Sequence, residues 1–253
     1  MTTVRYRHGH EHEPATMSQP TVELDFAADG VASVALNRPD KLNIYNLDMR
    51  DELLAALTAV RDVPTSRAMI LRANGPHFSA GADLSEFGTA ESVFEARRIR
   101  WDRDPWGPLW DLPVPTVAAL HGFAVGSGME MAMLCDIRIA APDTRVGLPE
   151  TKLGMLPAAG GTQSLTRVIG PDAAMPIVAT ARTLDADEAL RRGIVHRVVD
   201  DVETEALTIA RRLAAFDHGA VRSARRALHA AGDLSLADGL AVERTLARSI
   251  LER

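Results

Sequence analysis

The sequence predicts an α/β fold with largely parallel strands, and three observations carry that expectation. From about residue 22, short β-branched runs alternate with stretches whose apolar residues recur at helical spacing. Beyond residue 200 only helical periodicity remains. The chain has 253 residues and is 46% hydrophobic, enough for one large core or at most two domains.

The elements follow in order. Residues 1–20, MTTVRYRHGHEHEPATMSQP, are polar and read as an unstructured tail. His8, His10 and His12 alternate there, a pattern read as incidental, with no metal site expected. VASVALN (31–37) is a strand candidate that ends at Asn37-Arg38-Pro39. Asn46 is a plausible N-cap for a helix whose Met49, Leu53, Leu57 and Val60 share one face. RAMILRA (67–73), VPTVAAL (114–120) and DIRIAA (136–141) are further strands, with helical segments after several of them. Strand–helix alternation implies parallel pairing. Residues 21–200 read as the core, and 201–253 as C-terminal helices over 203–214, 219–231 and 236–252.

Bulk properties exclude several classes. The formal net charge is −6, with 28 Lys+Arg against 34 Asp+Glu, which argues against nucleic acid as the main partner. Arg211, Arg212, Arg222, Arg225 and Arg226 read as a solvated basic face. The one cysteine, Cys135, rules out a disulfide framework and a cysteine zinc cluster. No signal-like or membrane-length apolar run is present, so a soluble cytoplasmic protein is expected.

Three loops carry candidate chemistry. HFSAGADLSEF (77–87) follows a strand, and its small residues leave backbone N–H groups accessible; Asp83 and Glu86 have capping-box spacing, so a helix is expected to start there. In HGFAVGSGMEMAML (121–134), Gly126-Ser127-Gly128 precedes an apolar run that reads as a buried helix, 129–135. A helix start presents unpaired donors and the positive end of the dipole. A nucleophile elbow would need glycine at Val125 and Met129, and a dinucleotide fingerprint would need Gly or Ala at Met131. Ser127 therefore reads as a backbone donor rather than a nucleophile. Glu130 places a carboxylate in apolar surroundings, which is costly without a purpose. In VGLPETKLGMLPAAGGTQSL (146–165), Pro149 and Pro157 stiffen the chain around Glu150.

Together, LNRPDKLN, FSAGADL, HGFAVGSGMEMAMLCDIRIAA and GLPETKLGMLPAAGGTQSLTRVIG resemble, in order, the motifs of the crotonase superfamily, also called the enoyl-CoA hydratase/isomerase family. The resemblance implies a spiral of ββα turns and C-terminal helices that build a homotrimer, commonly paired as a hexamer. It implies an acyl-CoA thioester as substrate, with coenzyme A as part of that substrate and no separate cofactor. Ala82 and Ser127 fall on the two backbone donors of the thioester oxyanion hole, and Glu130 and Glu150 on the two glutamates that activate water in hydratases. Lys41, Ala80, Ala82, Asp83 and Leu84 fall along the CoA path. The implied reaction is hydration of a 2-enoyl-CoA to a 3-hydroxyacyl-CoA, with a Δ3-Δ2 isomerase, which could dispense with Glu130, and a catalytically idle oligomeric binding protein as alternatives. Two nearby carboxyls in an apolar pocket should not both ionise freely. Trp101, Trp106 and Trp110 cluster after the first loop and are candidates either for an acyl pocket or for packing at a subunit contact. Ser127, Ala158 and Ser164 depart from the family pattern, as does the end at Arg253.

Overall fold

The structure is a computed structural model that describes residues 19–86, 92 and 103–252. Residues 1–18 of the predicted tail and Trp101 lie outside the described residues. The predicted α/β architecture is present, as two sheets. The larger has the order β1 (Val22–Phe26), β2 (Val31–Leu36), β3 (Ala68–Ala73), β4 (Thr116–Leu120), β6 (Ile137–Ala140) and β9 (Arg197–Val198). The smaller comprises β5 (Phe123–Val125), β7 (Arg145–Gly147) and β8 (Thr183–Asp185). Pairing is parallel from β2 through β9 and between β5 and β7, and antiparallel at β1–β2 and β7–β8.

The central strands are covered on both faces, which is why they read as near-continuous apolar runs. Strand β3 shows the alternation directly. Met69 and Leu71 face α1 (Leu47–Asp62) and α3 (Ser127–Leu134), where they join Leu53, Leu57, Leu120 and Met129. Ala68 and Ile70 face the other way, onto Ala206 and Ala210 of α7 (Val202–Ala214). Helix α1 begins as expected: the Asn46 side chain accepts from Met49 N–H at 3.0 Å. Helix α2 (Trp106–Trp110) packs beside α3, followed in the chain by α4 (Gly161–Ile169), α5 (Pro171–Ala179) and α6 (Ala186–Arg191).

Two helices close the chain, α8 (His218–Ala231) and α9 (Leu236–Leu251). Arg225 of α8 is clamped against the core, donating to Asp136 Oδ2 at 2.8 Å and to the carbonyls of Leu112 at 2.6 Å and Trp110 at 2.8 Å. Among its described residues α9 buries none.

The helix expected to start at Asp83 runs into residues 87–91, which lie outside the described residues; among the described residues a 3-10 turn, Leu84–Glu86, follows Asp83. Asp83 accepts from Ser85 N–H and Oγ–H. The Glu86 carboxylate reaches the Leu47 N–H, at 3.1 and 3.3 Å. The start of the sixteen-residue α1 offers orphan donors that attract the glutamate more than a short turn does.

Candidate active site

The loop 79–83 is built on a buried asparagine. Asn43 is fully buried in the left-handed region, at φ 51°. Its Nδ2 donates to the carbonyls of Asn74 and His77, both at 2.8 Å, and its Oδ1 accepts from Arg38 N–H at 2.6 Å. Its own carbonyl accepts the Ser79 hydroxyl at 2.7 Å, and that hydroxyl oxygen accepts from Gly81 N–H at 3.3 Å. Ala80 N–H goes to Leu42 O. Tyr45 then pairs with Ala82 as an isolated parallel bridge: Tyr45 N–H donates to Gly81 O at 2.7 Å, and Asp83 N–H to Tyr45 O at 2.8 Å. A bridge of this kind uses the groups flanking residue 82, so the Ala82 N–H faces away from Tyr45. Ala82 lines a cavity of about 110 Å³, and its N–H has no acceptor among the described residues.

The second amide comes from the start of α3. Gly126 precedes the helix at φ 54° and ψ −128°, a conformation that only glycine adopts freely, and no side chain caps the helix. Ser127 is the first helical residue, so its N–H is one of the four orphans of the turn. Ser127 lines the same cavity. The two amide-bearing loops touch: a Cβ built on Gly126 would lie 3.4 Å from Gly81 Cα, and one built on Gly81 would lie 3.3 Å from Val125 O.

Both glutamates reach this cavity. Glu130 sits in the first turn of α3 and is only 2% exposed, yet it is well solvated by the backbone. Its Oε1 accepts from Ala159 N–H at 2.9 Å and Gly161 N–H at 3.0 Å. These two backbone bonds fix the orientation of the carboxyl. Glu150 enters from a 3-10 turn, Pro149–Leu153, started by Pro149. Its Oε1 lies against Gly126, 2.9 Å from where a Cβ there would stand, while its Oε2 is buried with no partner among the described residues. Desolvation by burial is the leading cause that raises this carboxyl above the ordinary glutamate value.

The remaining predicted residues divide. Ala80 and Leu84 line the cavity with Leu153, Met155, Leu156 and Ala158. Lys41 is exposed, one residue from Leu42, whose carbonyl holds Ala80. The Asp83 carboxylate does not line the cavity; Ser85 and, at 3.5 Å, Arg38 engage it. Trp106 and Trp110 also lie off the cavity lining. Trp106 packs on Tyr45 with ring centroids 5.3 Å apart, and Trp110 stacks on His229 at 3.8 Å. Sequence reasoning passed over Asn43 and Ser79, which order the first amide loop. The left-handed turn at Leu42 and Asn43 was the signal available in LNRPDKLN, because asparagine is the non-glycine residue that tolerates it best.

Comparison with known proteins places this geometry. Residues 27–253 match the family described as Enoyl-CoA hydratase/isomerase. The chain is similar to a probable enoyl-CoA hydratase of Mycobacterium tuberculosis, 42% identical over 223 residues that cover 87% of this chain and 85% of the relative. An enoyl-CoA hydratase structure from Bacillus anthracis superposes with a TM-score of 0.87 at 33% identity, covering 92% of each chain. A Thermobifida fusca protein solved in complex with CoA superposes with a TM-score of 0.84 at 28% identity, covering 92% of this chain and 93% of that one. The fold is the crotonase fold, with a helical C-terminal region.

Proposed function

This chain belongs to the enoyl-CoA hydratase/isomerase family, and on that premise we propose that it adds water across the 2,3 double bond of a 2-enoyl-CoA thioester to give a 3-hydroxyacyl-CoA. One observation carries the reading: two carboxyls in different surroundings, Glu130 held by two amides and Glu150 desolvated, line one cavity with Ala82 and Ser127.

The roles follow from those surroundings. Glu130 removes a proton from the bound water, whose oxygen forms the bond to C3. The C2–C3 π electrons move toward the thioester, and negative charge collects on its oxygen. Ala82 N–H and Ser127 N–H donate hydrogen bonds to that oxygen, a stabilisation of about 3–4 kcal/mol per donor. Glu150, whose carboxyl burial raises above the ordinary glutamate value, gives its proton to C2. Return of a proton from Glu130 to Glu150 resets the pair. Acid–base work of this kind contributes about 10²–10⁴-fold. The acyl chain runs along Leu84, Leu153, Met155 and Leu156, and the CoA moiety along Ala80 toward Lys41. Asp83 orders the loop from the side, and the described tryptophans form a second layer behind Tyr45 and against α8. The exposed α9 supports a reading in which the C-terminal helices build a homotrimer, alone or paired as a hexamer; the compartment we propose is the cytoplasm.

The test is loss of the enoyl-thioester absorbance of crotonyl-CoA, with mass spectrometry reading a gain of one water. Glu130→Gln and Glu150→Gln each reduce kcat by at least 100-fold while CoA binding by calorimetry persists. Full activity in either variant, or conversion of a 3-enoyl ester with no gain of water, removes this assignment.

A further inference from the structure

A second cavity, of about 270 Å³, lies between α8 and the segment that ends α2. One wall is Trp110, Asp111, Leu112 and Pro113; the other is Arg222, Arg225, Arg226 and His229. Those four positions of α8 stand at i, i+3, i+4 and i+7, so they form one face. The helix sequence, HGAVRSARRALHAA, contains no acidic residue at all. In a chain of net charge −6 this is a local concentration of the opposite sign.

The basic groups are not equivalent. Arg225 is spent: it is buried, paired with Asp136 and bonded to two carbonyls. His229 directs Nε2 at Asp136 Oδ1, 3.1 Å away, with its ring stacked on Trp110. Arg222 and Arg226 are exposed at the mouth, and neither forms an ion pair among the described residues. Asp111, on the facing wall, is the one acidic lining residue among the described residues. Two like charges one helical turn apart repel, so their placement on a concave wall calls for an anion between them. A carboxylate is satisfied by one guanidinium fork, whereas a phosphate has oxygens for two.

We propose that this cavity is a phosphate-binding site, distinct from the acyl-CoA cavity, in which Arg222 and Arg226 grip the phosphate group above the fixed Arg225–Asp136–His229 base. The two cavities sit at opposite ends of α3. Ser127 opens the eight-residue helix, and Asp136 follows its C-cap Cys135, a separation of about 12 Å along the helix.

Calorimetric titration of inorganic phosphate and, separately, of ADP into the full-length protein tests this. Saturable binding of either is expected, weakening as salt rises. A tenfold preference for ADP marks a nucleotide phosphate, and equal affinities mark free phosphate. Arg222→Gln/Arg226→Gln weakens binding at least tenfold, while crotonyl-CoA turnover stays within twofold of the parent. No saturable binding of either probe overturns the proposal, as does a double variant that binds like the parent. If neither probe binds and the double variant instead changes the oligomeric mass, the arginines meet a neighbouring chain and the proposal falls.

Discussion

At the scale of single residues, the two candidate donors can be separated from their side chains. Ser127 is the first residue of α3, where proline is tolerated in a helix but brings no N–H. Ser127→Pro should leave the circular dichroism spectrum intact and lower kcat by about 10²–10³-fold. Ser127→Ala keeps the amide and should stay within about threefold of the parent, an expectation that rests on the same donor geometry. Glu150 makes a second, independent prediction through stability. Its carboxyl value is raised in the folded state, so the folded state binds its proton more tightly than the unfolded chain does. Below the ordinary value of 4.5 both states are protonated and the residue has no pH-dependent effect. As pH rises through the folded value, the buried carboxyl must ionise without a partner for Oε2 among the described residues, and stability falls. Glu150→Gln should therefore raise Tm relative to the parent more at pH 8 than at pH 4, measured by scanning calorimetry in matched buffers.

At the scale of elements, catalysis depends on how α3 meets the loop 79–82. Gly128 sits in the first turn of α3, and a Cβ built on it would lie 2.8 Å from both Ser79 Cβ and Ser79 O. Ser79 is itself held through the Asn43 carbonyl, so the loop cannot yield without losing that bond. Gly128→Ala should cost about 1–3 kcal/mol by overpacking. It should also spread the Ala82 and Ser127 amides, lowering kcat/KM more than tenfold; an unchanged kcat/KM would show that the spacing of the two elements does not matter. The capping box illustrates the same scale from the sequence side. Spacing paired Asp83 with Glu86 at one helix start, but among the described residues Asp83 accepts from Ser85 and only Glu86 meets a helix terminus. Glu86 belongs to α1, thirty-nine positions away along the chain.

At the scale of the whole molecule, α9 is the element without a core of its own. Leu236 is 81% exposed and Leu240 42%, one helical turn apart, and Leu228 of α8 is 74% exposed. Apolar area of this kind normally meets another surface. In the proposed trimer, Leu236→Glu/Leu240→Glu should lower the mass by light scattering from three chains toward one. A parent protein that runs as a monomer would refute that assembly directly. Within the chain, Arg225 does the opposite work: it ties the helical region to the sheet through Asp136 and to α2 through two carbonyls. The five C-terminal arginines read alike in sequence as a solvated face, and packing separates them. Arg225 became a buried clamp, while Arg222 and Arg226 stayed at the mouth of a cavity.

The sequence by itself determined the α/β class, the central strands β2, β3, β4 and β6, the cap of α1 and the family, because these rest on local periodicity and short motifs. It also marked the four residues that share the candidate cavity, through motifs up to 68 positions apart between Ala82 and Glu150. Only tertiary structure decided the short strands β5, β7, β8 and β9, which are too brief for any periodicity and exist because neighbours complete their hydrogen bonds. It alone decided that the described tryptophans stand off the cavity. And it alone set the environments of the two acids: desolvation and two backbone donors are properties of what surrounds a carboxyl, and the chain brings those surroundings from residues 126, 159 and 161 only once it is folded.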